Sequence, residues 1–138
     1  MCSKSRDCGR QACSTRSPIR DLVKNTEPAE WHVDRAMDFI RPCRDRIAAT
    51  GTAMELNTPG FDNVVAEMSP GLSILEEIRQ RCIPVVIGAD AHDPPRVAVN
   101  SEDARDALNS VGYTEVSLFL NGVSLDISID LARDSLRS

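Results

Sequence analysis

The stretch that decides the fold is Ile83-Pro84-Val85-Val86-Ile87-Gly88-Ala89-Asp90-Ala91-His92-Asp93-Pro94-Pro95. Its apolar first half predicts a buried strand, and small residues mark where that strand ends. Asp90 and His92 follow, and in extended backbone their side chains project to the same side, where both can bind one metal ion. Barrel enzymes place their chemistry at this end of a strand. The spacing alone also fits two ordinary loop residues, with Asp90 capping a turn.

Length, charge and cysteine usage set the class of protein. The 138 residues predict one folded domain, and the net charge of −5 offers no basic face for nucleic acid. No apolar run approaches the roughly 20 residues that cross a bilayer, and the N-terminus lacks the apolar segment of a secretory signal. Five irregularly spaced cysteines favour reduced thiols. We therefore expect a cytoplasmic protein that binds neither nucleic acid nor membrane.

The chain divides into two parts at about residue 18. Residues 1–17 contain almost no aliphatic side chains, which predicts a disordered or non-homologous tail. Residues 18–138 are expected to form the domain, in which strands and helices alternate. Such alternation is typical of βα units and a mainly parallel sheet, so the fold class is α/β.

Local signals place the elements of this domain. A helix should end at Gly51, with Pro42 kinking it or starting a second helix. Ser69 is predicted to cap the next helix, and Pro70 to occupy its first position. Asn121-Gly122 predicts the turn of a hairpin. The expected elements are strands at 52–58, 83–89, 116–120 and 124–129, with helices up to Gly51 and at 71–82, 101–111 and 130–136.

Four separated segments of the chain resemble histidinol phosphatases of the PHP family of metal-dependent phosphoesterases. They are the strand at 53–60, the Ser69-Pro70 helix start, the stretch at 83–92 and the helix that leads to Val111-Gly112-Tyr113. Their order and spacing match over about residues 19–136, which makes the likeness specific. It implies a partial, distorted (β/α)7 TIM-like barrel, of which this chain carries the C-terminal half. The implied reaction, a step of histidine biosynthesis, hydrolyses L-histidinol phosphate to L-histidinol and phosphate.

The resemblance also implies roles for four residues. Asp90 and His92 match the family's final metal-binding pair, and such ligands suit zinc, manganese or iron. In the family, two or three of these ions activate water for attack on a small phosphorylated substrate. Glu55 and Asn57 match the strand motif and are predicted to bind substrate, the alternative being a structural hydrogen bond to a neighbouring loop. The likeness assigns no catalytic residue to this chain.

The chain departs from the family pattern in its histidines. Only His32 and His92 are present, His32 is expected to be a surface or packing residue, and Ile19 stands where the family has a further histidine. Since a catalytic zinc commonly takes three protein ligands, this chain alone is not expected to form the full site.

Three functions are therefore open for the chain. The first is a phosphatase that needs further ligands from another chain. The second is an inactive fragment that acts at most as a binding or interaction module. The third is the PHP-type nuclease module of a DNA polymerase. The acidic composition disfavours the nuclease. The open edges of an incomplete barrel favour association with other chains.

Overall fold

The computed structural model describes residues 16–17, 29, 32–58, 68–88 and 101–131. This part of the chain mixes helices and strands. No helix within it is long and apolar enough to cross a membrane. In chain order the elements are β1 (Arg16–Ser17), α1 (Val33–Thr50), β2 (Ala53–Asn57), α2 (Leu72–Gln80), β3 (Val85–Gly88), α3 (Ser101–Ser110), β4 (Glu115–Leu120) and β5 (Val123–Ser128).

Three strands form a parallel sheet with the order β1-β2-β3. The register of β2 against β3 runs from Met54 opposite Val85 to Asn57 opposite Gly88. Helix α2 connects these two strands, as a parallel pair requires. The predicted parallel βα arrangement is confirmed for this pair.

The two faces of β2 differ in chemistry because successive side chains alternate across a strand. Met54 and Leu56 are almost fully buried and belong to the main hydrophobic core. Glu55 and Asn57 belong to the opposite face. One face of β2 therefore packs into the core, and the other carries polar groups. The core on the first face also contains Ile74, Leu75, Ile78, Val85 and Leu108.

The ends of helices α1 and α2 depend on residues at their termini. Gly51 ends α1 in the left-handed conformation, with φ of 72°, as predicted. Pro42 lies inside this continuous helix, so no second helix begins there. The prediction for Ser69 and Pro70 is wrong, because α2 begins at Leu72 and its N-cap is Gly71. The backbone of Ser69 instead forms an isolated bridge with Asn57.

Ion pairs centred on Glu77 join α1 to α2. The carboxylate accepts hydrogen bonds from Arg81 and Arg41, which hold the pKa of Glu77 below its usual value. It also lies 3.6 Å from the Nη1 atom of Arg44, whose side chain is fully buried. Burial lowers the pKa of Arg44, and only Nη2 of its guanidinium donates a hydrogen bond within the described residues, to the Sδ of Met37.

The last two strands form the predicted hairpin. Strands β4 and β5 pair antiparallel, with Leu118 opposite Leu125. The turn residues Asn121 and Gly122 have φ of 49° and 78°, the left-handed conformation that a two-residue hairpin turn requires. Neither this hairpin nor the parallel sheet is closed within the described ranges, so the partial barrel stays a prediction.

The expected N-terminal tail and the cysteines are described only in part. Arg16 and Ser17 form the strand β1, while the other residues of the predicted 1–17 tail lie outside the described ranges, so that boundary stays a prediction. Cys43 is a free, exposed thiol. Cys82 is disulfide-bonded, so the prediction of reduced thiols is wrong for this residue. An odd number of cysteines excludes a fully paired set but not a single disulfide.

Candidate functional site

Glu55 and Asn57 lie at the carboxyl end of the parallel sheet. The two residues are two positions apart in β2, so their side chains share one face of the strand. Asn57 is the last residue of β2 and is opposite Gly88, the last residue of β3. The ends of two neighbouring strands therefore meet beside these polar side chains, at the edge where α/β proteins commonly bind ligands.

Gly88 provides the space that the Glu55 side chain occupies. A Cβ atom at position 88 would overlap the Cγ, Cδ and Oε1 atoms of Glu55. Within the described residues the Glu55 carboxylate makes no hydrogen bond or ion pair. The side chain thus extends across to β3, where the absence of a side chain on Gly88 lets the carboxylate approach the backbone.

Asn57 and Ser69 are joined through their backbones. The Asn57 N–H donates to the Ser69 carbonyl oxygen at 2.8 Å, and the Ser69 N–H donates to the Asn57 carbonyl oxygen at 3.2 Å. Residues directly opposite each other in an antiparallel pair direct their side chains to the same side. The Ser69 hydroxyl therefore joins the polar face that already carries Glu55 and Asn57.

Two side-chain oxygens in this group are buried and have no hydrogen-bond partner among the described residues. Asn57 is 9% exposed and Ser69 is 5% exposed. In the part of the chain that the structure describes, neither the Asn57 Oδ1 nor the Ser69 Oγ atom has a hydrogen-bond partner. Buried polar atoms in proteins are nearly always hydrogen-bonded, so such a pair calls for an explanation. The alternative prediction for Asn57 is a structural hydrogen bond to a neighbouring loop. Its backbone makes such a bond, whereas its Oδ1 atom makes none within the described ranges.

Ser69 is the site residue that the sequence analysis missed. A serine before a helix is typical of an N-cap, so the sequence pattern did not predict that this serine pairs with the end of a strand. The signal that could have identified it is the following proline, because a residue before proline disfavours helical backbone and favours an extended conformation. An extended residue can pair with the end of a strand.

The predicted metal ligands Asp90 and His92 lie outside the described residues. Strand β3 ends at Gly88, two positions before Asp90. His32 is described, and it is exposed beside the start of α1. Over residues 32–58, 68–88 and 101–131 there is no group of three or more His, Cys, Asp or Glu side chains that could hold a metal ion. The described residues by themselves therefore do not make a metal centre, and the predicted one remains a prediction.

Comparison with known proteins identifies a relative of part of the chain. No family model matches the chain. The chain is 33% identical over 106 residues to a protein of Deinococcus radiodurans described as a probable histidinol-phosphatase. The alignment covers 75% of this chain and 41% of that protein, so the chain spans less than half the length of the relative. The similarity supports a relationship to histidinol-phosphatase-like proteins.

Proposed function

We propose that this chain is part of a histidinol-phosphatase-like phosphomonoester hydrolase of the PHP type. The reaction is the hydrolysis of L-histidinol phosphate to L-histidinol and phosphate. The observation that carries this proposal is the 33% identity to the Deinococcus radiodurans protein over 75% of the chain. The placement of Glu55 and Asn57 at the carboxyl edge of a parallel sheet supports it.

Within this proposal, Glu55 and Asn57 contact the small phosphorylated substrate. Asp90 and His92 follow β3 in sequence and are the proposed ligands of a divalent zinc, manganese or iron ion. The two histidines of this sequence are too few for a centre with several metal ions. We therefore propose that the remaining ligands come from residues outside this sequence, in the same polypeptide or in a second chain. Association through open strand edges and a cytoplasmic location belong to the same proposal.

The first experiment measures the purified chain alone. Elemental analysis should find less than one tightly bound divalent ion per molecule, and an assay for phosphate release should find no hydrolysis of L-histidinol phosphate. Robust turnover by this chain alone would show that its own residues supply the complete set of metal ligands.

The second experiment supplies the missing residues. In the Deinococcus radiodurans relative, the aligned segment is replaced by the matching residues of this chain. The chimera should hydrolyse L-histidinol phosphate, and His92→Ala should abolish turnover, because the imidazole that is proposed to bind metal is lost. Cys43→Ser is the matched control, since Cys43 is an exposed thiol. A folded chimera without turnover would contradict the proposal and favour an inactive binding module.

A further inference from the structure

Three side-chain oxygen groups share one face at the end of β2. They are the Glu55 carboxylate, the Asn57 amide oxygen and the Ser69 hydroxyl. The first two lie two residues apart in a strand, and the third is directly opposite the second in an antiparallel bridge. Because Glu55 extends over Gly88, which is opposite Asn57, its carboxylate lies toward the same end of the strand.

Each of these groups has unused capacity to accept a hydrogen bond. Asn57 and Ser69 are more than nine-tenths buried, and their Oδ1 and Oγ atoms have no partner among the residues described. The Glu55 carboxylate has neither a hydrogen bond nor an ion pair within the same ranges. Leaving a buried polar atom without a partner costs about 1–3 kcal/mol, so a ligand that satisfies these atoms is favoured.

The chemistry of the three groups selects the ligand. A carboxylate and an amide oxygen only accept hydrogen bonds, and the serine hydroxyl can accept as well. A phosphate group carries negative charge and mainly acceptor oxygens, so the carboxylate repels it. A primary ammonium group has one positive charge and three N–H donors, which match one carboxylate and two neutral oxygens.

We infer that Glu55, Asn57 and Ser69 form a binding site for a primary ammonium group of a small molecule. This inference rests on the proposed function, which identifies this edge of the sheet as the substrate site. It deepens that function by naming the part of the substrate that binds there. It also adds Ser69 to the site residues. The phosphoryl group of the substrate then binds elsewhere.

The test is a titration of the full-length chain, followed by NMR of the backbone amides. The probe is ethylammonium chloride, with ethanol, inorganic phosphate and sodium chloride as comparison solutes. Ethylammonium should shift the amide signals near Glu55, Asn57, Ser69 and Gly88 in a saturable manner, whereas the other three solutes should not. The absence of a saturable shift through the millimolar range, or an equal shift with ethanol or sodium chloride, would overturn the inference.

Variants identify the groups that bind. Glu55→Gln removes the charge and should weaken ethylammonium binding by about tenfold or more. Ser69→Ala should weaken it by a smaller factor, and Asn57→Asp should strengthen it because a second carboxylate is added. Glu76→Gln and Ser110→Ala are the matched controls, since both residues are exposed on helices. Unchanged affinity in folded Glu55→Gln protein would overturn the assignment, and the wild-type titration is decisive if a variant does not fold.

This experiment is independent of the phosphatase assay. It uses no metal and no phosphate ester, so it can fail while the chimera hydrolyses L-histidinol phosphate. It can also succeed while the chimera is inactive. The two experiments therefore distinguish failure of the ammonium-site inference from failure of the proposed phosphatase reaction.

Discussion

The side chain of Glu55 lies against the Cα atom of Gly88, across the boundary between two parallel strands. Three atoms of Glu55 occupy the space in which a side chain at position 88 would begin. The carboxylate on β2 can therefore pack in this position only because the last residue of β3 is glycine. This contact fixes the carboxylate beside the last residue of β3.

Gly88→Ala is expected to destabilise the protein by about 1 kcal/mol, because the added methyl group displaces the Glu55 side chain. The measurement is urea unfolding at neutral pH. In a Glu55→Ala background the same substitution should be neutral, because the space is then empty. The two single variants and the double variant form a double-mutant cycle, and we expect a coupling energy of at least about 0.5 kcal/mol. Additive effects would contradict the contact.

Glu77→Gln is expected to lower the free energy of unfolding by about 2–3 kcal/mol. The substitution leaves the charge of Arg44 buried without its nearest carboxylate and weakens the hydrogen bonds from Arg81 and Arg41. The control is Glu76→Gln, the exposed neighbour in the same helix, which should change stability by less than about 0.5 kcal/mol. Equal effects of the two variants in chemical denaturation would exclude a stabilising role for the ion pairs.

The stability of the protein should fall on the acid side because of Glu77. Hydrogen bonds from Arg81 and Arg41 hold the pKa of Glu77 in the folded state below its usual value of 4.5. A depressed folded-state pKa stabilises the protein above the unfolded-state pKa, and this contribution is lost as the pH falls through the folded-state pKa. Urea midpoints measured from neutral to acid pH should converge for the wild type and Glu77→Gln. Parallel curves would contradict this assignment.

Tyr113→Phe is expected to cost about 1 kcal/mol at neutral pH. The Tyr113 hydroxyl donates a buried hydrogen bond of 2.8 Å to the Ile83 carbonyl oxygen, just before β3. The phenylalanine keeps the ring, above which the Arg79 guanidinium lies at 5.4 Å from the ring centre. Thermal or urea unfolding measures the loss, and an unchanged midpoint would show that water replaces the bond.

Alkaline pH provides a second test of the same hydroxyl. Burial raises the pKa of Tyr113 above its usual value of 10.0. A raised folded-state pKa stabilises the protein below the unfolded-state pKa, and the contribution is lost as the pH rises further. The wild type should therefore lose its advantage over Tyr113→Phe above about pH 10. If the stability difference between the wild type and Tyr113→Phe does not change with pH, the hydroxyl is in contact with water.

Several local features could be predicted from the sequence because they depend on short-range geometry. The alternation of Met54 and Leu56 with Glu55 and Asn57 identified the strand and its two faces. Gly51 marked the end of α1, and Asn121-Gly122 marked the hairpin turn. Each of these features follows from the conformation of a few consecutive residues, and no distant contact competes with it.

The role of Ser69 could not be predicted in the same way. A serine followed by proline is typical of a helix start, but its backbone groups bond to Asn57, twelve positions earlier in the chain. The disulfide bond of Cys82 is a similar case, because the sequence gives the number of cysteines and not which sulfurs meet. The metal-binding roles of Asp90 and His92 stay predictions from the sequence.

Except for the two-residue strand β1, the sequence by itself determined where the strands and helices of the described part begin and end, to within a few residues, because backbone propensity and side-chain periodicity act locally. It also determined that polar residues occupy one face of β2. Only the tertiary structure decided that the Glu55 carboxylate lies over Gly88 and that the Ser69 hydroxyl joins Asn57 on that face. These contacts join different segments, so they exist only after the strands have paired and the helices have packed against them.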